Sequence, residues 1–181
     1  MRRVSLPQRW CERLYLNDGR ELWLRPIALA DAEPLRIGFA LLTPEEVRMR
    51  FLHPLKELTP KMTHHLTHLD PKRDFALVAA EPLPPGEALV GAVARASLDA
   101  DGRSAEFGIL VSRFLAGQGL GALMMRRLIH WAKLKRLDEL HGDVLEENRA
   151  MLHLAQTLGF SREPLADEPG IIRVRLPLAR R

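Results

Sequence analysis

A change of hydrophobic period midway along the chain limits its fold more than any other feature. Residues 74–81 (DFALVAAE), 87–99 (EALVGAVARASLD) and 104–112 (SAEFGILVS) are rich in small, β-branched and apolar residues, the composition of strands. The stretch EPLPPGEA at 81–88 separates the first two, and Asp99-Ala100-Asp101-Gly102 makes a hairpin turn before the third. Directly afterwards, from Gln118 to about Lys135, Leu120, Leu123, Met124, Leu128 and Trp131 recur at helical spacing, with Arg126, Arg127, Lys133 and Lys135 largely on other faces. An antiparallel meander that runs into an amphipathic helix has a sheet face for that helix to cover, so the fold is mixed α/β.

The flanking segments supply the remaining layers. RLYLNDGRELWLRPI reads as a hairpin that turns at Asn17-Asp18-Gly19 and ends at Pro26. Three short helices follow: one capped by Asp31 and running to about Leu41, one opened by Thr43-Pro44-Glu45-Glu46, and one opened by Thr59-Pro60. Beyond the long helix, ELHGDVL is a short strand, ENRAMLHLAQTLGF a helix closed by Gly159, 165–171 a loop and IIRVRLPL a last strand. The expectation is a single domain over 1–181, with its core at 14–178, short extensions at each end, and one central, mostly antiparallel sheet with helices on both faces.

Size and charge narrow the function classes. At 181 residues and 46% hydrophobic residues, the chain can bury one sizeable core and is short for two. Lys and Arg number 27 against 23 Asp and Glu, a formal net charge of +4, which suits an anionic small ligand or an acidic partner surface. It is too modest an excess to argue for nucleic acid, and the basic residues of the long helix read as a solvated face. Cys11 is the only cysteine, so no internal disulfide forms and a reducing, cytoplasmic setting is expected. With no long apolar run and no signal-like segment after Met1-Arg2-Arg3, neither export nor membrane spanning is expected. His64, His65 and His68 offer two imidazoles one helical turn apart, but a metal site needs a third ligand and the only nearby carboxylate is Asp70. No metal is expected.

Gly117, Gly119 and Gly121 stand where a strand hands over to a helix, although each glycine in a helix interior costs about 1 kcal/mol against alanine. The first N–H groups of a helix lack partners and lie at the positive end of its dipole, and glycines let an anion approach them closely. A tight turn alone would also explain them. A nucleotide P-loop fits badly, since Ala122-Leu123 stand where Lys and Ser or Thr are required, and so does a dinucleotide fingerprint, which sits early in a βαβ unit rather than after a meander.

The neighbouring residues decide between these. Val111 to Gly121 (VSRFLAGQGLG) resembles the pyrophosphate-binding motif of the GNAT superfamily of acyl-CoA-dependent N-acetyltransferases, with Gly119 and Gly121 at the motif glycines and Ala116 where the family has Arg or Gln. Glu147-Asn148-Arg149-Ala150-Met151 and Leu158-Gly159-Phe160 are similar to the family's second motif, whose asparagine contacts coenzyme A. GRELWLRPIALADAEPLRIGFALLTPEEVRMRFLHPL, together with SAEFGILV, looks like the acetyltransferase domain of bacterial Pat-type protein-lysine acetyltransferases, a likeness that runs over nearly all of the chain after about Leu14. The long acyl-CoA-synthetase-like region or cyclic-nucleotide-binding domain that often precedes that domain is not found within these 181 residues.

The resemblance implies acetyl-CoA as co-substrate, with its pyrophosphate on the backbone of Gly117, Gln118, Gly119, Leu120, Gly121 and Ala122. Pantetheine would pair along Ile109, Leu110 and Val111, and Asn148 would contact the coenzyme, although at a helix start an asparagine serves equally as a cap. It also implies a protein lysine acceptor, such as one on an acyl-CoA synthetase; a small-molecule amine is the alternative acceptor and a non-catalytic acyl-CoA sensor the alternative role. An amine with an ordinary pKa of about 10.4 must lose a proton before it attacks a thioester. Glu106 is the candidate base: on a strand it points opposite to Ala105 and Phe107, toward a cleft. Its bland alternative is a solvated strand face or an ion pair with Arg95 or Arg103. Many family members carry a tyrosine four residues before the second-motif glycine; Ala155 stands there, so the general acid is unassigned.

Overall fold

The computed structural model describes residues 9–179; Met1-Arg2-Arg3 and Arg180-Arg181 lie outside them. Among the described residues one sheet contains β1 (Glu12–Tyr15), β2 (Glu21–Pro26), β3 (Asp74–Ala80), β4 (Val90–Leu98), β5 (Ser104–Val111), β6 (Glu139–Leu145), β7 (Ser161–Pro164) and β8 (Ile171–Pro177). Its order is β1-β2-β3-β4-β5-β6-β8-β7. Every adjacent pair is antiparallel except β5 and β6, which are parallel and joined through a crossover helix. The helices are α1 (Ala32–Ala40), α2 (Pro44–Phe51), α3 (Pro60–Thr67), α4 (Leu120–Leu134) and α5 (Arg149–Thr157).

Strand alternation sorts the residues into two layers. On one face Leu77, Ala79, Ala92, Ala94, Ala96, Ala105, Phe107 and Ile109 are buried under α4 and α5. The alanine rows let α4 lie close, so that Met124, Met125 and Leu128 are 0% exposed, each worth about 1.5–3 kcal/mol of apolar burial. Trp10 extends this core upstream of Leu14, packing 4.8 Å from Phe75, whose ring stacks in turn on Trp131 at 5.5 Å. On the opposite face lie α1 to α3, which share a smaller apolar cluster of Phe39, Val47 and Leu58.

Capping signals in the sequence are realised at α2 and α3. Thr43 and Glu46 form a reciprocal capping box, and the Thr59 hydroxyl accepts from the Met62 N–H. Asp31 differs from its expected role: it stands at the N-cap of α1, but its carboxylate makes no capping hydrogen bond to that helix. It is 0% exposed and accepts from both Nη atoms of Arg25 at 2.7 and 2.8 Å, as well as from the Ala28 N–H at 2.7 Å. An ion pair held this way ties the end of β2 to the start of the helical layer, and a buried guanidinium leaves the carboxylate no freedom to turn back to the helix. β7 has no counterpart in the sequence reading, because its four residues are all exposed and show no alternation; it exists as the edge partner of β8.

The hairpin between β1 and β2 reaches across to the turn before α4. The Asn17 N–H donates to Gln118 Oε1 at 3.0 Å, and Arg20 Nη2 donates to the Phe114 carbonyl at 3.1 Å.

Candidate active site

β5 and β6 pair only from Ser104 to Glu106 and from Glu139 to His141. Past that point β5 stays on β4 as far as Val111 and β6 stays on β8 as far as Leu145, so the two strands part and one edge of β5 from Phe107 onward has no strand beside it. At the base of this wedge the Phe107 ring fills the space a side chain at 142 would need: a Cβ on Gly142 would lie 2.6 Å from Phe107 Cε1. A cavity of about 160 Å³ opens here, lined by Arg50, Glu106, Gly108, Asp143, Asn148 and Met151 among others.

Two carboxylates line that cavity, and their surroundings differ. Asp143 is held by Arg173, whose Nε and Nη2 donate to its two oxygens at 2.7 and 3.0 Å, and that contact raises the Arg173 pKa. Glu106 is exposed and makes no ion pair among the described residues. The two arginines that the sequence offered as its ion-pair partners are engaged elsewhere, Arg95 with Asp74 at 3.7 Å and Arg103 with Asp138 at 2.8 Å. Its side chain faces away from buried Ala105 and Phe107, as strand alternation requires.

The glycine turn lies at the open end of the wedge. After a 3-10 turn at Arg113–Leu115, Gly117 and Gly119 take positive φ of 76° and 78°, and Gly119 is the N-cap of α4. No side chain caps this helix, so the N–H groups of Leu120, Gly121 and Ala122 are not taken up by a capping group. A Cβ on Gly117 or Gly119 would meet nothing within 4 Å, which leaves the approach to those donors open. These features fit an anion such as a pyrophosphate.

Other expected site residues fall as follows. Ile109 is buried toward α4, Leu110 faces the opposite layer, and Val111 is partly buried. Asn148 is the N-cap of α5, where its Oδ1 accepts from the Met151 N–H at 3.2 Å. Ala155, at the position where a general acid was sought, is buried in the core, and Tyr15 lies on β1, four strands from β5. Of the three histidines, His64 and His68 stack with ring centroids 3.4 Å apart. Among the described residues no three His, Cys, Asp or Glu side chains form a metal-binding group.

A family model described as an acetyltransferase (GNAT) domain matches residues 21–161. This chain belongs to the GNAT family. It is therefore an acyl-CoA-dependent N-acetyltransferase. An acetyltransferase of Pseudomonas aeruginosa is 29% identical over 169 residues, 93% of this chain and 89% of the relative. Among solved structures, the GNAT domain of S. lividans PAT superposes with a TM-score of 0.81 at 24% identity, covering 96% of this chain and all of that one. A cAMP-binding acyltransferase from Mycobacterium smegmatis matches with a TM-score of 0.61 at 22% identity, and there this chain spans about half of the longer protein, 48% of its length. At these identities the structural likenesses show the fold. In this GNAT chain Ala116 is exposed where the family motif has Arg or Gln, and the turn is anchored instead by the hairpin contacts to Gln118 and Phe114.

Arg50 escaped the sequence reading. Its guanidinium occupies the place of the missing Gly108 side chain, with Cζ and Nη2 each 2.7 Å from where a Cβ would be. A glycine inside a strand is the available signal, since it marks the close approach of another group.

Proposed function

We propose that this enzyme moves an acetyl group from acetyl-CoA to a primary amine by direct attack, with Glu106 as the general base. The observation that carries the reading is that, of the two carboxylates lining the wedge, Asp143 is committed to Arg173 while Glu106 has no ion-pair partner among the described residues. An unpaired carboxylate beside the wedge is free to accept a proton from an incoming ammonium, directly or through water. The amine nitrogen then forms a bond to the thioester carbon, the C–S bond breaks, and coenzyme A leaves as a thiolate. A thiol pKa of about 8.5 makes that thiolate a fair leaving group, so solvent can protonate it and no side-chain acid is required. Coenzyme pyrophosphate rests on the 117–122 turn, pantetheine runs along the unpaired edge of β5, and Cys11, ahead of the distant β1, takes no part.

Resemblance to Pat-type domains supports a protein lysine as acceptor. A second reading, a small amine, is favoured by a cavity of about 580 Å³ beside the wedge, large enough to enclose such a molecule. The test is transfer from labelled acetyl-CoA into a dialysed lysate and, separately, into a pool of small amines, with wild type and Glu106→Gln in parallel. Transfer should fall about 10²–10⁴-fold in the variant while coenzyme binding persists. Equal transfer by both proteins would remove Glu106 from the mechanism. Coenzyme binding without any transfer by wild type would make the chain a sensor.

A further inference from the structure

The sheet face under α1 to α3 carries an arrangement that acetyl-CoA binding does not use. Along β4 and β5, Arg95 stands opposite Gly108 and Ser97 opposite Glu106, successive rungs on the same face. The Arg50 guanidinium covers Gly108, so two guanidinium groups share one rung and the candidate base stands on the next, about 6.8 Å along the strand. Arg95 donates to Ser97 Oγ at 3.3 Å and to the Leu66 carbonyl at 3.5 Å, and is 3.7 Å from Asp74. Arg50 has neither a hydrogen bond nor an ion pair among the described residues; besides covering Gly108, its guanidinium lies 5.0 Å from the ring centroid of its neighbour Phe51. Burial holds Arg50 below the ordinary guanidinium range, Arg95 adds to that effect and Glu106 opposes it. Asp74 answers the charge of Arg95, whereas the buried Arg50 guanidinium keeps its donors without a hydrogen-bonded or ion-paired partner among the described residues, with Glu106 one rung away.

Arg50 and Phe51 line both the 160 Å³ wedge cavity and the 580 Å³ cavity, so the last turn of α2 is the partition between them. The larger cavity is walled mainly by apolar side chains, including Leu35, Phe39, Leu42, Leu58 and Val93, and Arg50 and Arg95 also line it. Anion recognition, an amine site and an apolar chamber thus meet within two rungs of the sheet.

Resting on the small-amine reading above, we propose that the acceptor is an apolar amino acid or a close analogue. Its carboxylate sits on Arg50 and Arg95, its side chain enters the larger cavity, and its amine reaches Glu106. The rung spacing accommodates one hydrogen bond to each end of a molecule whose amine and carboxylate are neighbours. Gly108 is part of the device, because any side chain there would displace the Arg50 guanidinium.

The experiment compares kcat/KM for leucine and phenylalanine with their carboxamides, which keep the amine and lose the negative charge. Wild type should favour the acids by about ten- to a hundredfold. Arg50→Gln should bring the acid-to-amide ratio near one through KM, Arg50→Lys should keep part of it, and Gly108→Ala should mimic Arg50→Gln while retaining the charge. A melting curve for each variant confirms folding. Equal use of acid and amide by wild type, a uniform loss across all acceptors in Arg50→Gln, or label confined to protein bands would overturn the proposal. If no acceptor turns over, calorimetric titration with N-acetylphenylalanine decides separately. Binding at least tenfold tighter to wild type than to Arg50→Gln supports the subsite even though the transfer reading has failed, and equal binding overturns it.

Discussion

Asp31→Asn separates two accounts of how the helical layer is held on the sheet. As a helix cap, Asn is equivalent to Asp, so the substitution would cost a few tenths of a kcal/mol, about the scatter of a surface change. As the partner of Arg25 the outcome is different. The carboxylate is fully buried, the Arg25 side chain is 6% exposed, and Arg25 Nε already lacks a partner. Removing one member of such a pair leaves an uncompensated buried charge and costs about 3–5 kcal/mol; because Asn keeps one acceptor oxygen, about 3 kcal/mol is expected. At roughly 2.1 cal/mol/K of unfolding entropy per residue, 181 residues give about 0.4 kcal/mol/K, so Tm should drop by about 8 °C. Urea and thermal unfolding followed by circular dichroism measure both quantities. The double variant Arg25→Met with Asp31→Leu should recover at least half of the loss, since apolar replacements leave no stranded charge. A cost below about 1 kcal/mol for Asp31→Asn would refute the ion-pair account.

Two further outcomes concern the glycine turn and the acid limb. Gly119→Ala has space for its methyl group but must hold a left-handed φ of 78°, so it should cost about 1 kcal/mol and weaken coenzyme A binding by moving the helix N–H groups; unchanged affinity in a calorimetric titration would detach the turn from the coenzyme. Glu46 is partly buried, which alone would raise its pKa, but the Thr43 N–H and Arg113 outweigh burial and hold it below the usual carboxylate value. A lowered folded-state pKa stabilises above the unfolded value of about 4.3 and is lost as pH falls through the folded one. The stability gap between wild type and Glu46→Gln should therefore be full at pH 6 and shrink below about pH 4; a gap that does not vary with pH would contradict this.

The meander, the glycine turn and the long helix were legible because each is a local pattern: period 2, then glycines, then period 3.6. The caps at Thr43 and Thr59 were legible for the same reason, as their partners lie three residues away. Asp31 carries the same local signature, yet its partner on β2 is reached only when the chain folds back. Glu106 was singled out as the candidate base from alternation and from resemblance, whereas its lack of an ion pair with Arg95 or Arg103 depended on where Asp74 and Asp138 came to lie.

By itself the sequence determined the fold class, the glycine turn and the strand that bears the candidate base, since these follow from near-neighbour periodicity and glycine placement. Tertiary structure alone decided that β5 and β6 part after Glu106 and that Arg50 replaces the missing side chain of Gly108 beside Arg95. Those contacts join residues tens of positions apart, where burial and charge are set by which surfaces meet, and no local pattern encodes that meeting.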